Sequence, residues 1–449
     1  MVERSANGPY RRSAPMKKRT YRAQPFKQID LKKFTERTRG KDIAVGVDVA
    51  KEKLFAALMD EERNCLAIVT FVQPLELRDF VSWLGALEAK SVAVVLEASG
   101  TYGDSLRHAL RESGLDVFQV GAKRVHDSAE VYDGTPSMHD AKAAAVIAWM
   151  HVTGLSKPWQ WSSDAKRSQR ATLATMELYA DAYGRNIGRL EGIVARHWPE
   201  LTKLFTLGSA SLNALLQYFP GPEAVAKAPE EATCTMRKAG LNHKTGKLDE
   251  MVASALSSVG VPMLDEERKY LSALCAELEH LRKAKKEAQQ HIEAQMEEEK
   301  AAKHLTKATG KVTTAVLLAY VDDPANYDSA ASYVKALGLN LRERSSGTKV
   351  GQLAITKRGH GKPRQYLYLA VWRLIRLDPY FKAWYLRKVE RGGMHARQKA
   401  LVALMRKLAT GLWHCAKHDV EFNSRKLFDL RRLQFEVSRD DVNTTVEAA

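Results

Sequence analysis

The sequence predicts an α/β domain followed by a mainly helical region. Short valine-rich apolar segments alternate with amphipathic ones between residues 41 and 152, which is typical of the strands and helices of a mixed sheet. After residue 163, apolar residues recur at spacings of three and four over long segments, which predicts helices. The chain has 449 residues, of which 45% are apolar and 27% charged. This composition allows two or three folded domains and excludes general disorder.

Residues 1–40 form a strongly basic segment. It carries twelve Lys or Arg, three acids and three prolines, and few large apolar residues. We expect a flexible arm that docks on phosphates, although a tail that only aids solubility has a similar composition. The cations that we expect to bind nucleic acid here are Arg11, Arg12, Lys17, Lys18 and Arg19. The formal net charge of the whole chain, +17, favours a polyanionic partner.

Two of the predicted strands end on a carboxylate. An apolar run at 43–47 ends on Asp48 and a second at 91–96 ends on Glu97, while a third acid, Asp140, begins a helical run. If the two strands pair, the carboxylates converge, and their hard oxygen atoms suit Mg²⁺ or Mn²⁺. Acids on two strands and then on a helix follow the order of RNase H-like nuclease folds. Taken alone, Asp48 could equally cap the turn that follows it.

The remaining elements of the first domain follow from the same patterns. We predict further strands at 54–59, 66–72 and 117–120 and helices at 75–87, 103–112 and 140–148. The polar segment 122–139 contains Gly134 and Pro136, and we expect most of it to be a loop.

Two apolar seams follow the first domain. One consists of Leu173, Met176, Ala180, Tyr183, Ile187, Leu190 and Val194, and the other of Leu264, Leu271, Leu274, Leu278, Leu281, Ala288 and Ile292. They predict long coiled-coil helices within 163–302, separated by a helical insert at 201–262. These helices either fold back on each other or pair between subunits, and we expect a homo-oligomer, a dimer or a tetramer.

Residues 303–420 predict a separate, mostly helical domain that binds nucleic acid, and 421–449 a tail. The break at 309–311 predicts a helix-turn-helix arrangement, and 342–349 reads as a polar loop. Residues 357–407 carry 14 Lys or Arg against two acids, with aromatic residues between them. Such a surface can clamp phosphates and stack bases, although aromatic residues on helices also serve as core.

Cysteine spacing and hydropathy exclude several classes of protein. The four cysteines are far apart and have no histidines at zinc-finger spacing, so neither a disulfide framework nor a zinc finger is predicted. No apolar run approaches the ~20 residues that span a bilayer, and the N-terminus has no apolar signal segment. We therefore expect a cytoplasmic protein without a membrane anchor.

Four motifs in this order resemble a known family. They are GVDVAKEKL around Asp48, LEASGTYG around Glu97, HDAKAAAVIA around Asp140, and the long segment that begins GLNLRERSSGTKVGQLAITKRGHG at Gly338. Together they are similar to the Piv/MooV-type transposases of DEDD insertion sequences, the IS110 group. The similarity covers about 41–420.

The resemblance implies a RuvC-like (RNase H-like) N-terminal domain and a C-terminal domain with a serine nucleophile in a loop. Asp48, Glu97 and Asp140 match the first, second and fourth acids, and Ser346 matches the serine. We expect all four to be catalytic, with the acids holding Mg²⁺ or Mn²⁺ so that the scissile phosphate is polarised.

The third acid of the family is missing. It normally lies three residues before the fourth, where this chain has Ser137. Either Ser137 or Asp133 supplies a weaker or water-mediated metal ligand, or the site works with three acids. The hairpin Pro-Gly-Ile-Gly of the family is also replaced here, by residues 307–310.

Cations around Ser346 complete the predicted site. We expect Arg342 and Arg344 to hold phosphate oxygens and to stabilise charge in the transition state. The full set that we expect to bind nucleic acid in this domain is Arg342, Arg344, Lys349, Lys357, Arg358, Lys362 and Arg364.

The implied activity is that of a DNA transposase or recombinase. It would act on double-stranded donor and target DNA, guided by a structured RNA, through a covalent serine–DNA intermediate. Because Asp48 and Ser346 are far apart in the sequence, we expect sites shared between subunits. Two alternatives are a metal-dependent, structure-selective endonuclease of the Holliday-junction type with a nucleic-acid-binding C-terminal module, and an RNA-binding protein with a decayed metal site.

Overall fold

The structure is a computed structural model that describes residues 21–98, 100–241, 246–346 and 349–429. It divides into two compact units, Met1–Trp161 and Ser162–Ala449. Two parts of the prediction lie outside the described residues. They are the last twenty residues of the tail, 430–449, and the basic arm's Arg11, Arg12, Lys17, Lys18 and Arg19.

The described part of the first unit is a sheet of seven strands with six helices. The strands are β1 (Ala23–Pro25), β2 (Asp42–Asp48), β3 (Lys53–Met59), β4 (Cys65–Val72), β5 (Ser91–Glu97), β6 (Asp116–Val120) and β7 (Lys157–Pro158). The helices are α1 (Leu31–Thr38), α2 (Leu77–Gly85), α3 (Asp104–Glu112), α4 (Ala122–Asp127), α5 (Ala129–Asp133) and α6 (Asp140–Val152). The strand order is β1-β4-β3-β2-β5-β6-β7, in which β2, β3 and β4 are antiparallel and β2, β5 and β6 parallel. The predicted mixed sheet is confirmed.

Strand β2 is central because both of its faces are apolar. Val45 and Val47 point into the larger core of the unit, which also contains the aromatic side chains of α2. On the opposite face, Ala44 and Gly46 meet α6. A Cβ atom on Gly46 would lie 2.2 Å from the backbone nitrogen of Ala148, so only glycine allows the helix to approach this closely.

Part of the segment that we assigned to a flexible arm is folded. Strand β1 pairs in parallel with β4, and α1 follows it. Phe26 and Phe34 are buried in the core, where the ring of Phe34 stacks on Trp83 at 5.8 Å. The prediction of an arm over 1–40 is therefore wrong for residues 23–38, since these two aromatic side chains bury enough apolar area to hold the segment on the sheet.

The segment before Asp140 also contains more helix than predicted. Helices α4 and α5 occupy most of 122–133, held by the buried Val125 and Ala129. Gly134 ends α5 with a φ of +73°, a conformation that favours glycine. Only 134–139 lacks regular structure, and this segment leads directly into α6.

The described part of the second unit is helical apart from one hairpin. Its first helices are α7 (Asp164–His197), α8 (Leu201–Leu204), α9 (Ala210–Tyr218), α10 (Pro222–Lys227), α11 (Pro229–Lys238), α12 (Lys247–Leu256) and α13 (Asp265–Glu298). The later elements are α14 (Lys303–Thr309), α15 (Lys311–Tyr320), α16 (Ala330–Ala336), β8 (Leu341–Ser346), β9 (Lys349–Ile355), α17 (Gly361–Leu377), α18 (Pro379–Glu390) and α19 (Ala396–His418).

The two long helices, α7 and α13, pack along each other in opposite directions within one chain. Gln169 contacts Met296 at one end, and His197 lies 3.5 Å from Glu267 at the other. Most of the seam residues contribute to two cores, one shared with the insert α8–α12 and one with α14–α19, and Tyr183, Ile187 and Ala288 are only partly buried there. Leu264 contributes to neither core, because it precedes α13 and is exposed. The intrachain arrangement is thus one of the two that we expected, and pairing between subunits stays a prediction.

The expected polar loop around Ser346 is instead the tip of a β-hairpin. Strands β8 and β9 pair antiparallel from Leu341 with Ile355 to Ser346 with Lys349. Only 347 and 348 lie between the strands, and both are outside the described residues. The sequence did not predict that Arg342, Arg344 and Ser346 lie on one strand, because the segment is polar. An exposed hairpin has no apolar face, so it lacks the alternation by which strands are recognised.

Two general features concern membranes and disulfides. In the described ranges, no helix is both long and apolar enough to cross a membrane. Cys65, Cys234, Cys275 and Cys415 are free thiols.

The contact between β2 and α6 makes a prediction about stability. Replacing Gly46 with alanine should destabilise the first unit by about 3 kcal/mol or more, because the added methyl group meets helix backbone that cannot move aside. Gly85→Ala is the matched control, since a Cβ there meets nothing within 4 Å. Urea unfolding followed by circular dichroism measures both. An unchanged midpoint for Gly46→Ala would show that α6 does not lie on β2 as described.

Candidate active site

Asp48 and Glu97 lie side by side at the edge of the sheet. Strands β2 and β5 are parallel, and their last paired residues are Val47 and Leu96. The next residue of each strand is an acid, and residues in register on parallel strands point to the same face. The two carboxylates therefore share one face at the carboxyl ends of neighbouring strands, where open α/β sheets commonly bind ligands.

Helix α6 brings the third acid to this face. Side chains alternate along a strand, so Asp48 lies on the same face as Gly46, against which α6 packs. Asp140 is the first residue of that helix. Burial, together with the negative charges of Asp140 and Glu97, raises the pKa of Asp48 to about 6. The structure therefore brings together the three acids that the sequence singled out.

The chemistry of these donors fits a divalent metal ion. Carboxylates that repel one another around the half-buried Asp48 are what a Mg²⁺ or Mn²⁺ ion would neutralise, and oxygen is the ligand that both prefer. Within the described ranges, no three His, Cys, Asp or Glu side chains are yet close enough to hold a metal ion together. Asp48, Glu97 and Asp140 are the residues that could hold such an ion.

The two candidates for the missing third acid differ sharply in surroundings. Ser137 is exposed in the irregular segment before α6. Asp133 is bound by other protein groups: its Oδ1 accepts from the Lys142 ammonium at 2.7 Å and its Oδ2 from the Tyr21 hydroxyl at 2.6 Å. Burial raises the pKa of Asp133, but the hydrogen bonds from Lys142, Tyr21 and Thr135 outweigh it, and the net shift is downward. Both carboxylate oxygens of Asp133 therefore already bind protein groups, the Lys142 ammonium and the Tyr21 hydroxyl.

Sequence reasoning missed an arginine beneath Glu97. The Arg107 side chain is almost fully buried, and its Nη2 donates to the backbone oxygen of Glu97 at 3.2 Å. Its Nη1 donates to Asp104, and its guanidinium lies 4.1 Å from the ring centre of Trp159. The charge of Arg107 thus faces the backbone of β5 and supports the strand end that carries Glu97. Nothing in the sequence distinguishes this arginine from an exposed one on an amphipathic helix.

In the second unit, Ser346 is the last residue of β8. Arg342 lies on the same strand, is exposed and pairs with Ala354 across the hairpin. The side chains of Arg344, Ser346 and Lys349 are outside what the structure describes. The roles predicted for these three residues stay predictions.

The other predicted phosphate-binding cations fall into two groups. Lys357 and Arg358 are exposed at the end of the hairpin. The Lys362 ammonium instead donates to Glu177 of α7, and Arg364 donates to the backbone oxygens of Leu337 and His360. Lys362 and Arg364 therefore connect parts of the protein, whereas Lys357 and Arg358 face solvent.

Two parts of the chain match models of transposase families. Residues 45–199 match a model described as "Transposase", the DEDD transposase of the IS110 type. Residues 305–386 match a model described as "Transposase IS116/IS110/IS902 family". The first match contains Asp48, Glu97 and Asp140, and the second contains Ser346.

A relative comes from Streptomyces coelicolor and bears the name "Insertion element IS110 uncharacterized 43.6 kDa protein". It is 23% identical to this chain over 358 residues, which cover 75% of this chain and 84% of the relative. The similarity therefore extends over both units.

The raised pKa of Asp48 makes a prediction about stability and pH. Because the folded protein disfavours the ionised carboxyl, Asp48 lowers stability as the pH rises from about 4 to about 6, and the cost is complete above that range. In EDTA at pH 8, Asp48→Asn should therefore stabilise the first unit by about 1–2 kcal/mol, allowing for solvent screening. Below pH 4 the variant and the natural protein should unfold alike in urea.

Asp42→Asn is the control of opposite sign. Hydrogen bonds from Lys90 and Ser91 lower the pKa of Asp42, so that this variant should gain no stability at pH 8. A destabilised Asp48→Asn protein at pH 8 would contradict the repulsion among the three acids.

Proposed function

We propose that this chain, which carries the DEDD and C-terminal transposase domains of the IS110 family, cuts and rejoins DNA through a covalent serine–DNA intermediate. The single observation that carries the proposal is the convergence of Asp48, Glu97 and Asp140 at the edge of the sheet. Its substrates are double-stranded donor and target DNA, selected with a structured guide RNA. The active form is a homo-oligomer, a dimer or a tetramer.

The acids supply the metal-binding part of the chemistry. A Mg²⁺ or Mn²⁺ ion held by Asp48, Glu97 and Asp140 supplies Lewis acidity toward the scissile phosphate when it is bound. Arg107 and the contact of α6 with Gly46 fix the backbone that carries these ligands. DEDD transposase domains typically depend on a divalent metal, which supports this assignment.

Ser346 supplies the nucleophile. Its hydroxyl loses a proton as Oγ forms a bond to phosphorus, the bond from phosphorus to the leaving DNA oxygen breaks, and that oxygen takes up a proton. One phosphodiester replaces another, so rejoining needs no ATP. Arg342 and Arg344 stabilise the charge that develops on the phosphate oxygens. Ser137 completes the metal site through a weaker or water-mediated contact, since Asp133 is bound to Lys142.

The C-terminal unit supplies the nucleic-acid surface. Arg342, Lys357 and Arg358 are exposed and suit phosphate contacts. The aromatic residues of α17 and α18 divide into core and surface: Phe381 and Tyr385 are buried, whereas Tyr368 and Trp372 are exposed and lie edge to face at 6.3 Å. An exposed aromatic pair among cations can stack unpaired bases, which favours a partner that includes single-stranded RNA or DNA.

A second candidate is a structure-selective endonuclease that uses water as the nucleophile. The observation that favours it is that all three acids lie in the first unit, together with their supporting contacts. Such an enzyme would use the second unit only for binding.

A covalent adduct distinguishes the two functions. The proposed recombinase should form a protein–DNA adduct that survives denaturing electrophoresis, and Ser346→Ala should abolish both the adduct and strand cleavage. Ser345→Ala, one residue earlier on β8, is the matched control and should retain both. Cleavage by Ser346→Ala without an adduct would establish the endonuclease instead.

The two groups of cations make a separate prediction about binding. Arg358→Ala should weaken DNA binding and reduce the slope of log K against log salt by about 1, because one fewer counterion is released. Arg364→Ala should leave that slope unchanged but lower stability by about 1–3 kcal/mol, since the backbone oxygens of Leu337 and His360 lose their donor. Binding at several salt concentrations and urea unfolding measure the two effects. Equal slopes for Arg358→Ala and the natural protein would remove Arg358 from the interface.

A further inference from the structure

Four side chains surround the segment that leads into Asp140. We name them the clamp: Tyr21, Asp133, His139 and Lys142. The segment they enclose, 134–139, has no regular structure of its own and contains Ser137. The position of Asp140 relative to the sheet therefore depends on what holds the two ends of this segment.

Lys142 holds the first end of the segment. Its side chain is only 1% exposed, and its ammonium donates to Asp133 Oδ1 at 2.7 Å and to the backbone oxygen of Thr135 at 2.6 Å. A buried ammonium group is costly unless it is paired, so these two contacts are strongly preferred over any arrangement that breaks them. The end of α5 is thereby tied to the first turns of α6.

His139 holds the second end. It is the N-cap residue of α6, and its Nδ1 accepts a hydrogen bond from the backbone nitrogen of Lys142 at 3.3 Å. A side-chain acceptor at this position satisfies a backbone donor that would otherwise have no partner in the helix. The same residue, Lys142, is thus bound through its side chain to the start of the segment and through its backbone to the end.

Tyr21 closes the clamp from a distant part of the chain. Its hydroxyl donates to Asp133 Oδ2 at 2.6 Å, and its ring lies edge to face with His139 at 5.3 Å. One tyrosine therefore contacts both anchors of the segment. It is placed there just before β1, whose parallel pairing with β4 fixes this part of the chain on the sheet.

We propose that the clamp is the positioning device of the candidate active site. It sets where α6 begins, and so where the Asp140 carboxylate stands relative to Asp48 and Glu97. Tyr21 and Lys142 are positioning residues, because they act through the segment 134–139 and touch neither metal nor substrate. The proposal depends on the proposed function only for the metal that the three acids would hold. Supporting contacts of this kind typically change metal affinity by 10–100-fold when they are removed.

The first test measures order in the segment without metal. Hydrogen exchange in the full chain should become at least about tenfold faster in peptides that cover 134–142 for Tyr21→Phe and for Lys142→Met, while peptides from α3 exchange as before. Methionine fills the buried volume of Lys142 without a charge, and Asp133 keeps its hydrogen bonds from Tyr21 and Thr135. Tyr132→Phe is the matched control: its ring also neighbours that of Tyr21, but in the described part of the chain its hydroxyl makes no hydrogen bond to the clamp.

The second test measures metal affinity with Mn²⁺ as the probe, by electron paramagnetic resonance of free Mn²⁺. Tyr21→Phe and Lys142→Met should bind Mn²⁺ about tenfold more weakly or worse, and Tyr132→Phe should bind as the natural protein does. The double variant Tyr21→Phe/Lys142→Met should lose little more than Lys142→Met alone, since both act on one segment.

The outcomes separate the clamp from the proposed function. Unchanged hydrogen exchange at 134–142 in both folded variants would overturn the clamp, whatever the metal result. Faster exchange with Mn²⁺ affinity unchanged would also overturn it, because the order of the segment would then not set the position of Asp140. The metal assignment in the proposed function fails if the natural protein does not bind Mn²⁺, or if Asp48→Ala binds it equally well. Hydrogen exchange alone then decides whether the clamp orders the segment.

Discussion

The contact of helix α6 with Gly46 is the constraint on which the candidate site depends. A side chain at residue 46 would hold the helix away from β2, because its Cβ would fall within 2.2 Å of the backbone of Ala148. With glycine there, the helix lies directly on the strand, and alanines fill the remaining contact. The strand then delivers Asp48 two residues further on, while the helix delivers Asp140 at its first turn. One missing side chain thus determines how closely two carboxylates from different elements approach.

Gathering these carboxylates has an energetic cost that the surrounding structure must offset. The pKa of Asp48 rises to about 6 because the group is buried and faces two other acids. Two buried cations of the described part of this unit are bound elsewhere: the Lys142 ammonium to Asp133, and the Arg107 guanidinium to Asp104 and the backbone oxygen of Glu97. The cations next to the site stabilise its frame while the carboxylates keep their repulsion. This is the arrangement expected of a site whose negative charge is neutralised by a metal ion. Without the metal ion, the repulsion among the carboxylates lowers the stability of the protein.

The sequence predicted the parts of this site that follow from local periodicity. Strands that end on Asp48 and Glu97 and a helix that begins on Asp140 are visible because apolar runs stop at charged residues. The role of Asp133 could not be predicted, because its partner Tyr21 lies 112 residues away and belongs to a segment whose charge suggested disorder. The burial of Phe26 was missed for the same reason, whereas the hairpin around Ser346 was missed because its strands are polar. The polarity of a residue indicates that its side chain can face solvent. Contacts between distant parts of the chain decide which polar side chains instead bind other groups of the protein.

The basic residues of the second unit follow the same logic. A run of cations in a sequence predicts a nucleic-acid surface, yet each cation can instead satisfy a carboxylate or a backbone oxygen within the protein. Lys362 binds Glu177 of a long helix, and Arg364 binds two backbone oxygens, so their charges are partly used before any nucleic acid approaches. Lys357 and Arg358 have the same charge and lie within a few residues, but they remain exposed. The count of lysines and arginines therefore overstates the positive charge that this unit has available for a nucleic acid.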